Sequence, residues 1–254
     1  MLFLFSPLRF RNLGKTKFVL FTRTALMETP VLTTMVVLYT MGVRLDTEVL
    51  VHELPLTDKI IKIEKQGVLR RGESKKDRIR HRKAPVQPRR TTGFGHNSIT
   101  LVLLSTGDGT LPEKEITVKI FQNGVFHITG VLDERYDRDV TTCLRDHIET
   151  SCPRAMMEGT WTPENRRVVL MNYKTKMIGV TNLSRDTLHA NLRRKGMKTN
   201  YEPAVYPAVK IYFPNVKWIA KVFRTGNIIL TGMTDASECD ALMSQLSSAI
   251  LPSA

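Results

Sequence analysis

The sequence predicts an α+β fold of two similar halves, each a piece of antiparallel sheet covered on one face by helix. Three observations predict it: a twelve-residue motif that occurs twice, a two-residue apolar alternation inside each copy, and a four-residue apolar spacing just after each. Lys119-Ile-Phe-Gln-Asn-Gly-Val-Phe-His-Ile-Thr-Gly130 aligns without a gap with Lys221-Val-Phe-Arg-Thr-Gly-Asn-Ile-Ile-Leu-Thr-Gly232. Phe121, Gly124, Thr129 and Gly130 thereby meet Phe223, Gly226, Thr231 and Gly232 at an offset of 102 residues. A pattern shared at fixed offset marks a duplicated structural unit.

Taken in chain order, residues 1–30 form a basic leader with Arg9, Arg11, Lys15, Lys17 and Arg23 and no acid before Glu28. Its composition resembles a transit peptide; the other reading is an unstructured leader, or an over-long gene whose true start is Met27. The first repeat spans 31–155 and the second 156–254. The first carries an insertion at 66–93, within which Arg70 to Arg90 hold ten Lys+Arg against two acids. That run reads either as a solvated loop or as a phosphate-contacting arm. Asn123-Gly124 and Gly226-Asn227 are tight-turn signals between apolar strands, so each copy of the motif is a hairpin. Tyr136, Val140, Leu144 and Ile148 give the helix after the first hairpin, and Cys239, Leu242, Met243, Leu246 and Ile250 the helix after the second. Asp235 and Glu238 have the spacing of a capping box, and Ser184 to Met197 is a further, basic helix candidate.

Alternation divides each hairpin into two faces. Ile116, Val118, Ile120, Phe126 and Ile128 in the first, and Trp218, Ala220, Val222, Ile228 and Leu230 in the second, belong under the helices. The opposite face holds Thr117, Lys119, Phe121, His127 and Thr129, and Lys217, Ile219, Lys221, Phe223, Ile229 and Thr231. An antiparallel sheet with one covered face ordinarily shows water a polar one. Here aromatic and aliphatic residues stand among lysines. That mixture suits a shallow, partly apolar, anionic partner such as the DNA minor groove; packing within a larger sheet is the alternative.

Composition agrees with a polyanionic partner: 38 Lys+Arg against 24 Asp+Glu give a net charge of +14. Cys143, Cys152 and Cys239 form no CxxC pair, and the six histidines are scattered without metal spacing. No nucleophile elbow or phosphate-binding loop occurs, so neither an enzyme nor a cofactor is expected. No apolar run reaches the length of a transmembrane helix, so no membrane association is expected.

Order and spacing of these motifs resemble the TATA-box-binding protein family. Tyr201-Glu-Pro-Ala-Val-Tyr-Pro-Ala-Val209 is similar to that family's YEPELFPGL segment, and the 17 residues from Tyr206 to Phe223 match the spacing of its two intercalating phenylalanines. Thr34 to Asp46 is similar to its NIVSTVNLGCKLD strand. The resemblance implies a saddle: one curved antiparallel sheet with helices on the convex face and DNA in the concave one. It implies intercalating wedges at Phe94, Phe121, Tyr206 and Phe223, with His96 as the alternative to Phe94. Minor-groove contacts follow at Thr34, Val36, His127, Thr129, Asn172, Lys174, Ile229 and Thr231, and phosphate contacts at Lys119, Lys210, Lys217 and Lys221. The chain departs from the family where Thr34 replaces the expected first-half asparagine and where His127 and Lys174 replace valines. The basic insertion and the Phe94 to Thr100 stretch resemble versions found in large DNA viruses.

The function so implied is transcription initiation by binding and bending promoter duplex DNA, A·T-rich, through the minor groove. Its partners would be general transcription factors and RNA polymerase, its place the nucleus or a viral transcription site, and its state a monomer or weak dimer. The competing reading is a degenerate saddle that binds transcription or assembly proteins without specific DNA contact.

Overall fold

Both hairpins form where the tight-turn glycines stand. A computed structural model describes residues 27–81, 97–162 and 165–250, with the side chains of 79–81 left aside. Residues 1–26, Phe94 and His96 lie outside the described residues, as do residues 82–90 of the basic run.

The first half runs β1 (Val31–Thr40), β2 (Val43–Leu45), α1 (Thr47–Glu53), β3 (Ile60–Lys65), β4 (Leu69–Gly72), α2 (Lys75–His81), β5 (Ser98–Ser105), β6 (Lys114–Phe121), β7 (Val125–Val131) and α3 (Glu134–Ser151). A short β8 (Met156–Gly159) then pairs back onto β2. The second half runs β9 (Asn165–Lys176), α4 (Arg185–Arg194), β10 (Lys198–Asn200), β11 (Val209–Tyr212), β12 (Ile219–Val222), β13 (Asn227–Met233) and α5 (Ser237–Ile250). Eleven strands make one antiparallel sheet in the order β10-β11-β12-β13-β9-β1-β7-β6-β5-β3-β4. Apart from the extra edge strand β4, that order is a palindrome about β9 and β1, which is the predicted α+β saddle of two repeats.

Hydrogen-bond register fixes how the halves correspond. Met35 pairs with Met171 at the centre, and the pairing slips by one residue at Thr33 in β1 and at Val169 in β9. Those bulges lie 136 residues apart, as do Met41 and Met177, whose N–H groups bond the carbonyls of Gly124 at 3.1 Å and Gly226 at 2.9 Å. In the central strands, Val36 is therefore the counterpart of Asn172, Leu38 of Lys174, and Thr34 of Leu170. Thr34, where the resemblance expects an asparagine, is thus not the internal counterpart of Asn172. Those two residues are instead cross-strand partners. The connection from Met177 to the helix cap Ser184 is two residues longer than that from Met41 to the cap Asp46. Alignment through the caps hides that slip.

The apolar sets chosen by alternation fill the core. Ile116, Val118, Ile120, Phe126 and Ile128 are fully buried, as are Ala220, Val222, Ile228 and Leu230, under α3 and α5. Helix starts obey the expected chemistry: Ser184 Oγ accepts from the Thr187 N–H at 3.3 Å, the Asp46 carboxylate from the Glu48 N–H at 2.8 Å. The capping box forms too, with Asp235 accepting from the Ser237 N–H at 2.8 Å and Glu238 from the Asp235 N–H at 3.1 Å. Cys143, Cys152 and Cys239 are buried free thiols. No helix among the described residues is long and apolar enough to cross a membrane.

One helix departs from the expected arrangement. α1, α3, α4 and α5 cover the apolar face, but α2 attaches to the other one. Its Asp77 carboxylate bonds Lys62 at 3.1 Å and Arg70 at 3.0 Å, and the Lys75 N–H bonds Glu115 at 3.0 Å. Lys62 pairs with Val102, Arg70 with Glu64 and Glu115 with Leu104, all on the open side of the sheet.

Candidate nucleic-acid interface

Cross-strand register turns the open face into rows. In the second half one row reads Lys174, Ile229, Lys221, Lys210, Asn200, each directly opposite the next. Its first-half counterpart reads Leu38, His127, Lys119, Thr100, Glu64. Nearer the centre, Val36 faces Thr129, Thr129 faces Thr117, and Thr231 faces Ile219. All three minor-groove candidates of the central pair, Thr34, Val36 and Asn172, lie together beside the pseudo-dyad. Like charges directly opposite on a sheet repel, at about 0.2–1 kcal/mol a pair. Lys221 and Lys210 sit so, with Lys174 one strand beyond Ile229. A polyanion laid along that row would relieve the repulsion.

Two polar atoms on this face are buried and unpaired. His127 Nδ1 and Asn172 Oδ1 have no protein partner although neither touches solvent. Burial first, and then the Lys119 charge, push the His127 pKa below its ordinary value, so the imidazole is neutral at pH 7. Buried polar atoms are nearly always hydrogen-bonded. A neutral imidazole and an amide oxygen can exchange hydrogen bonds with base edges.

Each end of the face carries aromatic rings. At the second-half end Tyr206 and Phe223 meet edge to face, with centroids 6.0 Å apart, and the Lys210 ammonium stands 5.0 Å over the Tyr206 ring. A turn presents Tyr206, since both Val205 and Tyr206 N–H groups bond the Glu202 carbonyl at 2.9 Å. Val205 itself is 79% exposed beside it. Phe223 also lines a cleft of about 350 Å³ with Lys174, Arg185, Arg224 and Ile229. Arg185 bonds the Pro207 carbonyl and lies 5.5 Å over the Tyr201 ring, fastening the turn to α4. At the first-half end Phe121 closes β6 opposite Ser98, and Phe94 falls outside the described residues. Lys217 stands exposed in the turn before β12.

The sequence thus gives the open-face residues of both hairpins and the Tyr206–Phe223 pair but not Leu38, Leu170, Arg185 and Arg224. Leu38 and Leu170 could have been found by parity alone, since each alternates with a chosen residue. Arg185 has no such signal, because a backbone carbonyl far along the chain holds it. Among the described residues no group of three or more His, Cys, Asp or Glu could hold a metal ion.

A family model described as "Transcription factor TFIID (or TATA-binding protein, TBP)" matches residues 182–251, from the start of α4 to the end of α5. Among solved structures the chain is similar to Methanococcus jannaschii TBP, with a TM-score of 0.51 and 12% identity over 88% of this chain and 98% of that one. No curated protein matches it. The chain is thus similar in sequence to the TATA-binding protein family over residues 182–251 and shares that family's fold through both halves.

Proposed function

We propose that the protein is a transcription initiation factor that binds duplex DNA along its open face, through the minor groove, and bends it. The observation that carries this reading is the spacing of apolar wedges on a cationic face. Tyr206 and Phe223 stand at one end, and Phe121 stands at the equivalent place at the other. Rings that enter base steps unstack them, and the bend lets the duplex meet more of the face. Lys119, Lys210, Lys217 and Lys221 reach phosphates on either side, and Thr129, Thr231, Asn172 and His127 reach base edges. The minor groove offers acceptors at A·T pairs, and a neutral imidazole can donate to them, so an A·T-rich promoter fits. The helical face is left to general transcription factors and RNA polymerase, in the nucleus or at a viral transcription site.

Energy transfer across end-labelled duplexes, A·T-rich and G·C-rich, tests this. The expected result is a salt-sensitive rise on A·T-rich duplex that Phe121→Ala with Phe223→Ala largely removes. Binding with no change in end-to-end distance, or no binding at all, would overturn it, the latter in favour of a protein-binding saddle.

A further inference from the structure

Two-fold pseudo-symmetry leaves this sheet with one feature that has no counterpart in the second half. β4 and α2 extend the first-half edge only, and they do so on the open face. Asp77 fixes them there. It is 4% exposed, accepts from the Ser74 hydroxyl at 2.7 Å and from the Ser74 N–H at 3.0 Å, and meets Lys62 and Arg70. Burial alone would raise its pKa, yet the Ser74 bonds and Lys62 hold it well below the carboxylate range, so it stays ionised. Val102, directly opposite Lys62 on the open side, is 5% exposed. With Asp77 occupied by these partners, Lys75, Lys76 and Arg78 are exposed on the helix, Arg78 in a solvent-exposed 3.7 Å pair with Glu73 that a phosphate can replace. Residues 69–81 hold six Lys+Arg against two acids.

We propose that β4 and α2 form a one-sided basic abutment that contacts the phosphate backbone just beyond the first half, so that the saddle seats with that half toward the side on which duplex continues. The proposal rests on the DNA-binding reading above. The open-face rows of the two halves differ, but on a palindromic core each half meets the same contacts in either direction, and only the first half has strand and helix beyond its last shared strand. Three cations beyond the first half favour the seating that places duplex against them. They read no bases, so the discrimination is between duplex present and duplex absent at that end. Pinning to the sheet sets this apart from a mobile basic tail. A pinned cation loses little freedom when it meets a phosphate.

The experiment uses a palindromic A·T-rich core with a long flank on one side and almost none on the other. A donor dye at Gln245→Cys, on the exposed side of α5, reports orientation against an acceptor at either duplex end. Wild-type protein is expected to place its first half over the long flank in a several-fold excess. Lys75→Gln with Lys76→Gln and Arg78→Gln should bring the two orientations to parity, keep the bend, and reduce the salt slope by about 2 to 3, at about 0.9 per phosphate contact. Asp77→Asn, which frees the helix without removing its cations, should also approach parity. Equal orientations in the wild type, or an excess that survives the triple substitution, would overturn the abutment while leaving the bending reading intact. Absence of any binding would overturn both.

Discussion

Asp137 is a buried carboxylate with only one of its two oxygens paired. It is fully buried on α3, its Oδ2 accepts from Arg166 Nε of β9 at 2.8 Å, and its Oδ1 has no partner. Burial outweighs the Arg166 attraction and raises its pKa from 3.8 to about 6. The neutral form is thus favoured in the folded protein. Its contribution to stability is complete below about pH 4 and is lost as pH rises through about 6, with a ceiling of about 3 kcal/mol at 1.36 kcal/mol per pH unit. Wild-type melting temperature should carry a falling component between those values, and Asp137→Asn should remove it. An unchanged pH profile in the variant would show that the pair is better solvated than its burial implies. Backbone geometry allows a second test. Gly130 and Gly232 sit at equivalent bulges with φ of 91° and 97°. An added Cβ would lie 3.5 Å from the Glu115 carbonyl oxygen at Gly130 but 2.0 Å from the Lys217 carbonyl oxygen at Gly232. Gly130→Ala should cost about 1–2 kcal/mol in urea unfolding from the left-handed backbone alone. Gly232→Ala should cost clearly more, because the backbone of the β12 turn must move as well.

Among the elements, the row along β11, β12, β13 and β9 trades stability for charge. Lys221 lies between Lys210 and Ile229, so Lys221→Met keeps a long side chain, removes one repulsion and extends the apolar contact with Ile229. The variant should gain a few tenths to about 1 kcal/mol in unfolding free energy and bind duplex more weakly, with a salt slope reduced by about 1. Weaker binding without added stability would mean that the lysines already lean apart. The same elements show what the sequence could and could not tell. Parity assigned the faces of β6, β7, β12 and β13 correctly, because alternation depends only on odd and even positions. It could not detect the two-residue difference between the Met41–Asp46 and Met177–Ser184 connections, since an even slip leaves every side chain on its own face. Face was legible, row was not, and so the pairing of Thr34 with Asn172 across the central strands could not be read in advance. The 17-residue interval from Tyr206 to Phe223 was legible because one turn and two strands of fixed rise determine it. The path of α2 was not. A basic run announces its charge, whereas its placement depends on one aspartate meeting Lys62 and Arg70 across a strand edge.

For the whole molecule, the palindromic strand order separates two kinds of edge. The outer edges are β10, three residues, and β4, four residues with Arg70 and Arg71, both poor templates for pairing with another chain. The inner edges, ten residues of β1 and twelve of β9, are long and are satisfied only by each other. The intact chain should therefore sediment as a monomer at micromolar concentration. A fragment of residues 165–254 would instead expose β9. Because Met35 faces Met171 and the bulges at Thr33 and Val169 are equivalent, β9 already has the geometry to pair with a second β9 about Met171. The pseudo-dyad would then become a true one. Sedimentation of that fragment should give a folded dimer with strand content retained by circular dichroism. Met171→Lys should return it to monomer, since two ammonium groups would meet at the axis in place of two buried thioethers. A folded fragment that stays monomeric would mean that the halves are held together by side-chain contacts such as Asp137–Arg166 rather than by the central ladder.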